Sequence, residues 1–127
     1  MSANFDGIQV LTGNSGTLTG ENAASTWTLG VTQAYSDGSN SLTISGFANL
    51  QGNANTDLFN VTNANAVSLL GGAGIDTFDV GATLTGSIDG EVGADVLQGS
   101  AIDAVGLTSS DTDGYLGTET DVSANFD

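Results

Sequence analysis

Large apolar residues recur along this chain at intervals of 19 residues, and in three successive copies they keep the same distance from a glycine and an aspartate. The most complete copy is Gly71-Gly72-Ala73-Gly74-Ile75-Asp76-Thr77-Phe78-Asp79, and weaker copies begin at Gly52 and Gly90. The interval defines two apolar columns, a glycine column and an aspartate column: Leu50, Leu69, Ile88 and Leu107; Phe59, Phe78, Leu97 and Leu116; Gly52, Gly71 and Gly90; Asp57, Asp76 and Asp95. A period near 20 residues is typical of a solenoid, in which each coil buries its apolar face against the next.

Each repeat is predicted to be a short strand between polar turns. Phe78 and Val80 are two residues apart, which is the strand period, so they share one face. Residues 11–46 alternate Thr and Ser with large apolar residues, which also favours strands, and no stretch has a helical period. We therefore expect an all-β fold: a right-handed parallel β-solenoid of about six coils of 19–21 residues, forming one domain over residues 1–127.

Two sequence echoes underlie the expected number of coils. The segment Ser2-Ala3-Asn4-Phe5-Asp6 recurs at residues 123–127, an offset of 121. This fits either one period of a tandem array or a natural protomer. Residues 5–14 resemble residues 44–53 at an offset of 39, which corresponds to two coils, with Val31 in the apolar position between them. The acid-rich stretch 106–121 is expected to form an irregular coil or a protruding loop.

Composition excludes several classes of function. The chain of 127 residues has 15 acidic residues and no Lys, Arg, His, Cys or Pro, so its formal net charge is -15. Without Lys or Arg it cannot pair with phosphates, and we expect no nucleic-acid partner. Without His or Cys, zinc binding and the commonest acid–base and nucleophilic chemistry are excluded, and we expect no enzyme. Carboxylate-based glycosidic chemistry is the enzymatic alternative.

Features of targeting and membrane insertion are also missing from the sequence. No apolar run approaches the ~18 residues of a membrane span, so we expect no membrane insertion. The first residues have neither the cationic nor the apolar region of a signal peptide, and any export signal is expected outside this stretch.

The aspartate column is the candidate chemical site. Neighbouring strands lie about 4.8 Å apart, so stacked Asp57, Asp76 and Asp95 repel one another by about 1 kcal/mol per neighbour even at high dielectric. A hard cation with oxygen ligands reverses that sign, which makes Ca²⁺ the expected cofactor. Further candidate ligands at the coil edges are Asp79, Asp89 and Glu91. Alternatively, each aspartate accepts hydrogen bonds from backbone N–H groups of its own turn.

Residues 71–79 resemble the calcium-binding nonapeptide of RTX (repeats-in-toxin) proteins. The resemblance implies that the Asp76 carboxylate and the turn backbone at Gly72 and Gly74 bind Ca²⁺ between successive turns of a parallel β-roll. The other half of the coil, residues 81–87, lacks the motif, whereas RTX rolls carry two nonapeptides in each coil.

The pattern over nearly the whole chain is similar to the tandem repeats of large secreted bacterial surface proteins, including filamentous-haemagglutinin-like adhesins. It is carried by residues 7–14, 47–53 and 71–78, which share apolar, glycine and asparagine or aspartate positions. This resemblance implies an extracellular structural module of a bacterial filament or adhesin stalk, in contact with a cell surface or matrix.

Open solenoid ends expose unpaired strand edges, so we expect such modules to associate head to tail. The alternative is an RTX-type calcium-binding module that folds on Ca²⁺ outside the cell.

Overall fold

The computed structural model describes residues 4–127, and every regular element in that range is a β-strand. The strands are β1 (Val10–Thr12), β2 (Thr17–Thr19), β3 (Ser25–Leu29), β4 (Gln33–Ser36), β5 (Ser41–Ser45), β6 (Asn49–Gln51), β7 (Asp57–Val61), β8 (Ser68–Leu70), β9 (Ala73–Gly74), β10 (Thr77–Val80), β11 (Ile88–Asp89), β12 (Val92–Gly93), β13 (Val96–Gln98), β14 (Gly106–Ser110), β15 (Tyr115–Glu119) and β16 (Val122–Phe126). The predicted all-β fold is confirmed.

Two seven-stranded sheets enclose the core, and both mix parallel and antiparallel pairs. Sheet A has the strand order β1-β5-β4-β3-β7-β10-β13, and sheet B has the order β14-β15-β16-β11-β8-β6-β2. The short strands β9 and β12 pair with each other. The antiparallel pairs join β3, β4 and β5 in sheet A, and β14, β15 and β16 in sheet B. The sheets are therefore of mixed orientation, unlike the all-parallel arrangement expected from the sequence.

The interval of 19 residues is the strand register in the middle of the chain. Phe78 pairs with Phe59 on one side and with Leu97 on the other, and Leu69 pairs with Leu50 and with Ile88. Trp27 extends the aromatic stack, with ring centroids 5.6 Å apart for Trp27–Phe59 and 5.0 Å for Phe59–Phe78. The predicted apolar columns are therefore confirmed between residues 50 and 97.

The register lengthens before that stretch because β4 and β5 are inserted as antiparallel strands after β3. Trp27 pairs with Phe59 and Leu11 with Ile44, which are intervals of 32 and 33 residues. Residues 5–14 and 44–53, which resemble each other at an offset of 39, are therefore not paired at that offset in the sheets. Val31 lies in the turn between β3 and β4 and is 93% exposed, so its predicted place in the core is wrong.

The register also changes after β13. Ile88 pairs with Phe126, not with Leu107, and residues 106–119 form the β14–β15 hairpin rather than an irregular loop. Asp111 stabilises the hairpin turn, because its Oδ1 accepts hydrogen bonds from the N–H groups of Asp113 and Gly114. Leu107 and Leu116 lie in this hairpin, so their predicted places in the two columns are wrong.

Within residues 4–127, four successive repeats contain a strand from each large sheet: β2 and β3, β6 and β7, β8 and β10, and β11 and β13. The expected count of about six regular coils is therefore also wrong. The apolar core runs between the sheets along these repeats, and its buried residues are Trp27, Leu29, Ile44, Leu50, Phe59, Val61, Val67, Leu69, Phe78, Val80, Leu84, Ile88, Val122 and Phe126.

Candidate functional site

Asp57, Asp76 and Asp95 form a row of carboxylates, here called the acid ladder, where the chain enters β7, β10 and β13. Asp57 and Asp76 are buried, and Asp95 is half-buried. Oδ1 of Asp76 accepts a hydrogen bond from the Asp57 N–H at 2.7 Å, and Oδ1 of Asp95 accepts one from the Asp76 N–H at 2.8 Å. The Asp76 and Asp95 carboxylates thus each tie their own repeat to the preceding one, through the backbone of the preceding aspartate.

As the alternative to metal binding, we expect each aspartate to accept a hydrogen bond from a backbone N–H group of its own turn. Asp57 makes such a bond. Its Oδ2 accepts from the N–H of Asn53 at 3.2 Å, four residues earlier in the same turn. In Asp76, by contrast, Oδ2 is buried and has no hydrogen-bond partner among the described residues. A buried polar atom without a partner is costly, so Asp76 Oδ2 is a place where a proton or a cation would be stabilising.

The glycine column makes room for the acid ladder. A Cβ atom at Gly52 would lie 2.5 Å from Asp57 Oδ2, and a Cβ at Gly71 would lie 2.6 Å from Asp76 Oδ2. A Cβ at Gly90 would lie 2.6 Å from Asp95 Oδ2. The two columns therefore keep the same interval because each aspartate side chain occupies the space that a side chain at the glycine would need.

We expect Gly71→Ala to lower the free energy of unfolding by about 1–3 kcal/mol, the usual cost of overpacking a dense interior. The new Cβ would lie 2.6 Å from Asp76 Oδ2 and 2.6 Å from the carbonyl oxygen of Gly90. Gly16→Ala is the control, because no atom lies within 4 Å of a Cβ built there. Equal urea denaturation midpoints for the two variants would contradict the close packing of glycine and aspartate.

Burial dominates the electrostatics of the acid ladder. Burial is the largest cause that raises the pKa of Asp76, and the nearby charges of Asp57, Asp95 and Glu91 act in the same direction. The hydrogen bond from the Asp57 N–H opposes them, and together these effects raise the pKa to about 6. Burial likewise raises the pKa of Asp57, although the Asn53 N–H acts in the other direction. Because the chain contains no Lys, Arg or His, no side-chain cation is available to offset these charges.

The other predicted calcium ligands are only partly brought together. Gly72 and Gly74 have φ values of 102° and 150°, as the sharp turn before Asp76 requires, and the Gly72 carbonyl accepts a hydrogen bond from the Val92 N–H at 2.9 Å. Asp79 lies on the opposite face of β10 from Phe78, and its Oδ2 accepts from Gln98 Nε2 at 3.3 Å. Asp79 therefore does not join the acid ladder.

The edge candidates Asp89 and Glu91 accept hydrogen bonds within the protein. Asp89 Oδ1 accepts from the Glu91 N–H at 2.9 Å, and Glu91 Oε2 accepts from Gln51 Nε2 at 3.3 Å. Both carboxylates thus have partners of their own, in contrast to Asp76 Oδ2.

A second acidic group, here called the C-terminal acid cluster, consists of Asp103, Glu119 and Asp121. One carboxylate oxygen from each lies within 4.8 Å of the others, so the three side chains could hold a metal ion. Glu119 is buried, and its oxygens accept from the N–H groups of Asp121 at 2.6 Å and Asp103 at 3.4 Å. Burial acts to raise the pKa of Glu119, but these and neighbouring N–H donors outweigh it, and the pKa lies below its usual value.

Sequence reasoning missed this cluster for a physical reason. Asp103 lies in the connection after β13, whereas Glu119 and Asp121 lie at the end of β15 and in the turn after it. The three residues come together because the β14–β15 hairpin folds the chain back on itself. No repeated interval in the sequence indicates that fold. The spacing of two residues between Glu119 and Asp121 was the one available signal.

Comparison with known proteins adds no family to this picture. Searches against protein-family models, curated proteins and solved structures found no match. Within residues 4–127 the structure contains no helix with the length and apolar character needed to cross a membrane. The functional inference therefore depends on the fold, the sheet edges and the acidic sites described above.

Proposed function

We propose that this chain is a structural module of an extracellular bacterial filament or adhesin stalk, built as a right-handed β-solenoid that stacks head to tail. The observation that carries the proposal is that, within residues 4–127, each large sheet has a strand at both edges that is unpaired on its outer side: β1 and β13 in sheet A, and β14 and β2 in sheet B. An unpaired edge is a template for a strand of another chain. The right-handed sense follows the strong preference of parallel crossover connections.

The repeated middle of the molecule supports a solenoid role. Strands β3, β7, β10 and β13 run parallel in sheet A, and β2, β6, β8, β11 and β16 run parallel in sheet B. Repeats of this kind stabilise one another through nearest-neighbour contacts, which suits a rod. The antiparallel strands at the two ends lengthen the sheets but leave β1 and β14 unpaired on their outer sides.

The chemistry of the chain favours a structural role over an enzymatic one. Asp57 and Asp76 of the acid ladder are buried, and the chain has no His, Cys, Lys or Arg to act beside the ladder as a base, general acid or nucleophile. The proposal includes an extracellular location and contact with a cell surface or matrix, which rest on the resemblance to secreted surface proteins. It includes neither nucleic-acid binding nor membrane insertion.

Electron microscopy of the purified chain tests this proposal. The net charge of -15 opposes stacking, so we expect mostly single particles in low salt with chelator. In high salt or millimolar calcium, where the repulsion is screened or bridged, we expect unbranched fibres one molecule wide. Single particles under every condition, including high protein concentration, would contradict the proposal.

A calcium-binding module of the RTX type is the second candidate, and the unpartnered Asp76 Oδ2 favours it. Asp57, Asp76 and Asp95 with the Gly72 and Gly74 backbone would hold the ion, and the C-terminal acid cluster is a separate place for one. Calcium at 100 times its Kd would add about 2.7 kcal/mol to the free energy of unfolding.

Circular dichroism in chelator separates the two functions. A filament module keeps its β spectrum without calcium, whereas an RTX-type module loses it. If calcium raises the melting temperature, Asp76→Asn and Glu119→Gln identify which acidic group binds the ion, because only the variant at the occupied site loses the gain.

A further inference from the structure

At one end of the molecule, sheet A stops at β13 while sheet B continues through β16, β15 and β14. The strands β11 and β13 belong to the same repeat, so in the described part of the chain no strand of sheet A lies opposite the inner face of β15 and β16. The result is a cleft of about 340 Å³ between the two sheets, here called the end cleft. Its apolar lining includes Phe78, Ile88, Leu97, Tyr115 and Phe126.

Apolar side chains that continue the core are left uncovered around the end cleft. Phe126 pairs with Ile88 at one edge of the cleft, and Gly117 pairs with Phe126, so Tyr115 on the same face of β15 points over the same space. Tyr115 is 66% exposed, since no described strand of sheet A covers it. Among the residues that the structure describes, the backbone of Val96–Gln98 in β13 has a pairing partner only on the β10 side.

The strand at the opposite edge of sheet A is β1, and it runs in the same direction as β13. β1 is parallel to β5, β5 and β3 are both antiparallel to β4, and β3, β7, β10 and β13 are parallel. β1 therefore runs in the same direction as β13. A second copy moved along the stack by translation would place its β1 beside β13 as a parallel neighbour, as β10 is on the other side.

The segment before β1 also has the features expected of chain that enters sheet A from sheet B. Ile88-Asp89-Gly90 leads from β11 in sheet B towards β13 in sheet A, and Phe5-Asp6-Gly7 has the same apolar-Asp-Gly pattern and leads to β1. Residues 4–6 also repeat the sequence of residues 125–127, which end the sheet B strand β16. In the isolated molecule, Phe5 is 72% exposed and Val10 is 65% exposed.

We propose that residues 5–12 of a second copy close the end cleft, with its β1 pairing in parallel with β13 and its Leu11 extending the apolar core. Leu11 lies opposite the buried Ile44 in its own sheet, so it faces the core side of β1. The occupant is another copy of this chain because β1 has the matching direction, pattern and free edge. The inference rests on the proposed head-to-tail filament and specifies its junction.

Charge sets the conditions under which this junction forms. Glu91, Asp95, Asp113 and Asp127 line the end cleft. At the other end, Asp6, Glu21 and Asp37 lie around Phe5 and Ile8. Acidic rims meet acidic rims when two copies stack, so the junction requires screening by salt or bridging by a divalent cation.

Engineered disulfides test the junction cleanly because the chain has no cysteine. The two test variants combine Gln98→Cys on β13 with Val10→Cys or with Thr12→Cys on β1, which cover the two neighbouring registers of the pairing. Adjacent strands lie about 4.8 Å apart, within the Cα separation of about 4.4–6.8 Å that a disulfide requires. The control combines Gln98→Cys with Val31→Cys, since Val31 is exposed in the turn between β3 and β4 and is not part of β1.

After mild oxidation in high salt, we expect a ladder of covalent multimers for at least one test variant and only monomer for the control, by non-reducing electrophoresis. Circular dichroism confirms that each variant is folded. If both test variants form fibres under reducing conditions but give no ladder, the β1–β13 junction is wrong while filament assembly stands. If neither variant nor the wild-type chain assembles, both the junction and the filament are overturned.

Discussion

Replacing Phe78 with alanine is expected to lower the free energy of unfolding by about 3–5 kcal/mol, the range for removing a large aromatic side chain from a core. Phe78 is 1% exposed, and its ring stacks on that of Phe59 with a centroid distance of 5.0 Å and an interplanar angle of 12°. Leu97 pairs with it on the other side. Hydrogen-bonded strands hold both neighbours in place, so the cavity has little scope to collapse.

Urea denaturation of Phe78→Ala and Thr85→Ala measures this effect against a surface change. Thr85 is exposed in the connection between β10 and β11, so its replacement should stay within about 0.5 kcal/mol of the wild-type value. If Phe78→Ala lowers the free energy of unfolding no more than Thr85→Ala does, the aromatic stack does not stabilise the core.

Lowering the pH from 7 towards 5 is expected to stabilise the fold, through Asp76. Burial raises the pKa of this carboxyl from 3.8 to about 6, so the folded chain binds the proton more tightly than the unfolded chain does. The stabilisation is fully present below pH 3.8 and is lost as the pH rises through about 6. A difference of about two pKa units corresponds to about 3 kcal/mol.

The opposite behaviour of Glu119 limits this effect at low pH. Its pKa is lowered in the folded state, so the stability that it contributes is present above its unfolded value of 4.5 and is lost as the pH falls below it. Asp57, whose pKa is raised by burial, adds to the effect of Asp76. We therefore expect stability to rise between pH 7 and about 5 and to level off or fall in stronger acid.

Asp76→Asn isolates the contribution of the buried Asp76 carboxylate to the pH dependence of stability. The amide oxygen keeps the hydrogen bond from the Asp57 N–H, and the buried charge is removed, so in chelator the variant should be more stable than wild type at pH 7. The difference should vanish near pH 4. Asp79→Asn is the control, because Asp79 lies on the other face of β10. If Asp76→Asn is instead the less stable protein at pH 7 in chelator, the buried carboxylate is stabilised by its charge, and this account of the ladder is wrong.

The middle of the fold was predictable because one structural unit imposes one sequence interval. Where Phe59, Phe78 and Leu97 stack in register, each needs the same turn before it, and the glycine and aspartate of that turn recur with it. The burial of the acid ladder and the donors that reach it were not predictable, because Asp76 receives its hydrogen bond from a residue 19 positions away.

The ends were not predictable for a different reason. Alternating Thr and apolar residues identify β3 and β5 as strands, but the same alternation suits parallel and antiparallel neighbours. The direction is set by tight turns, such as the one where Asp37 Oδ1 accepts from the N–H groups of Ser39 and Asn40. A turn signal there was visible in the sequence, but its consequence for the pairing of β4 and β5 appears only in the folded chain.

Sedimentation velocity tests the central claim, that the free sheet edges join copies of this chain end to end, most directly. The wild-type chain should be measured at rising protein concentration in low salt with chelator, in high salt, and in millimolar calcium. We predict one small species in the first condition and an open series of larger species in the other two, growing with concentration as head-to-tail contacts do when they do not close into a ring. A single species with the mass of one chain at every concentration in all three conditions would contradict the account.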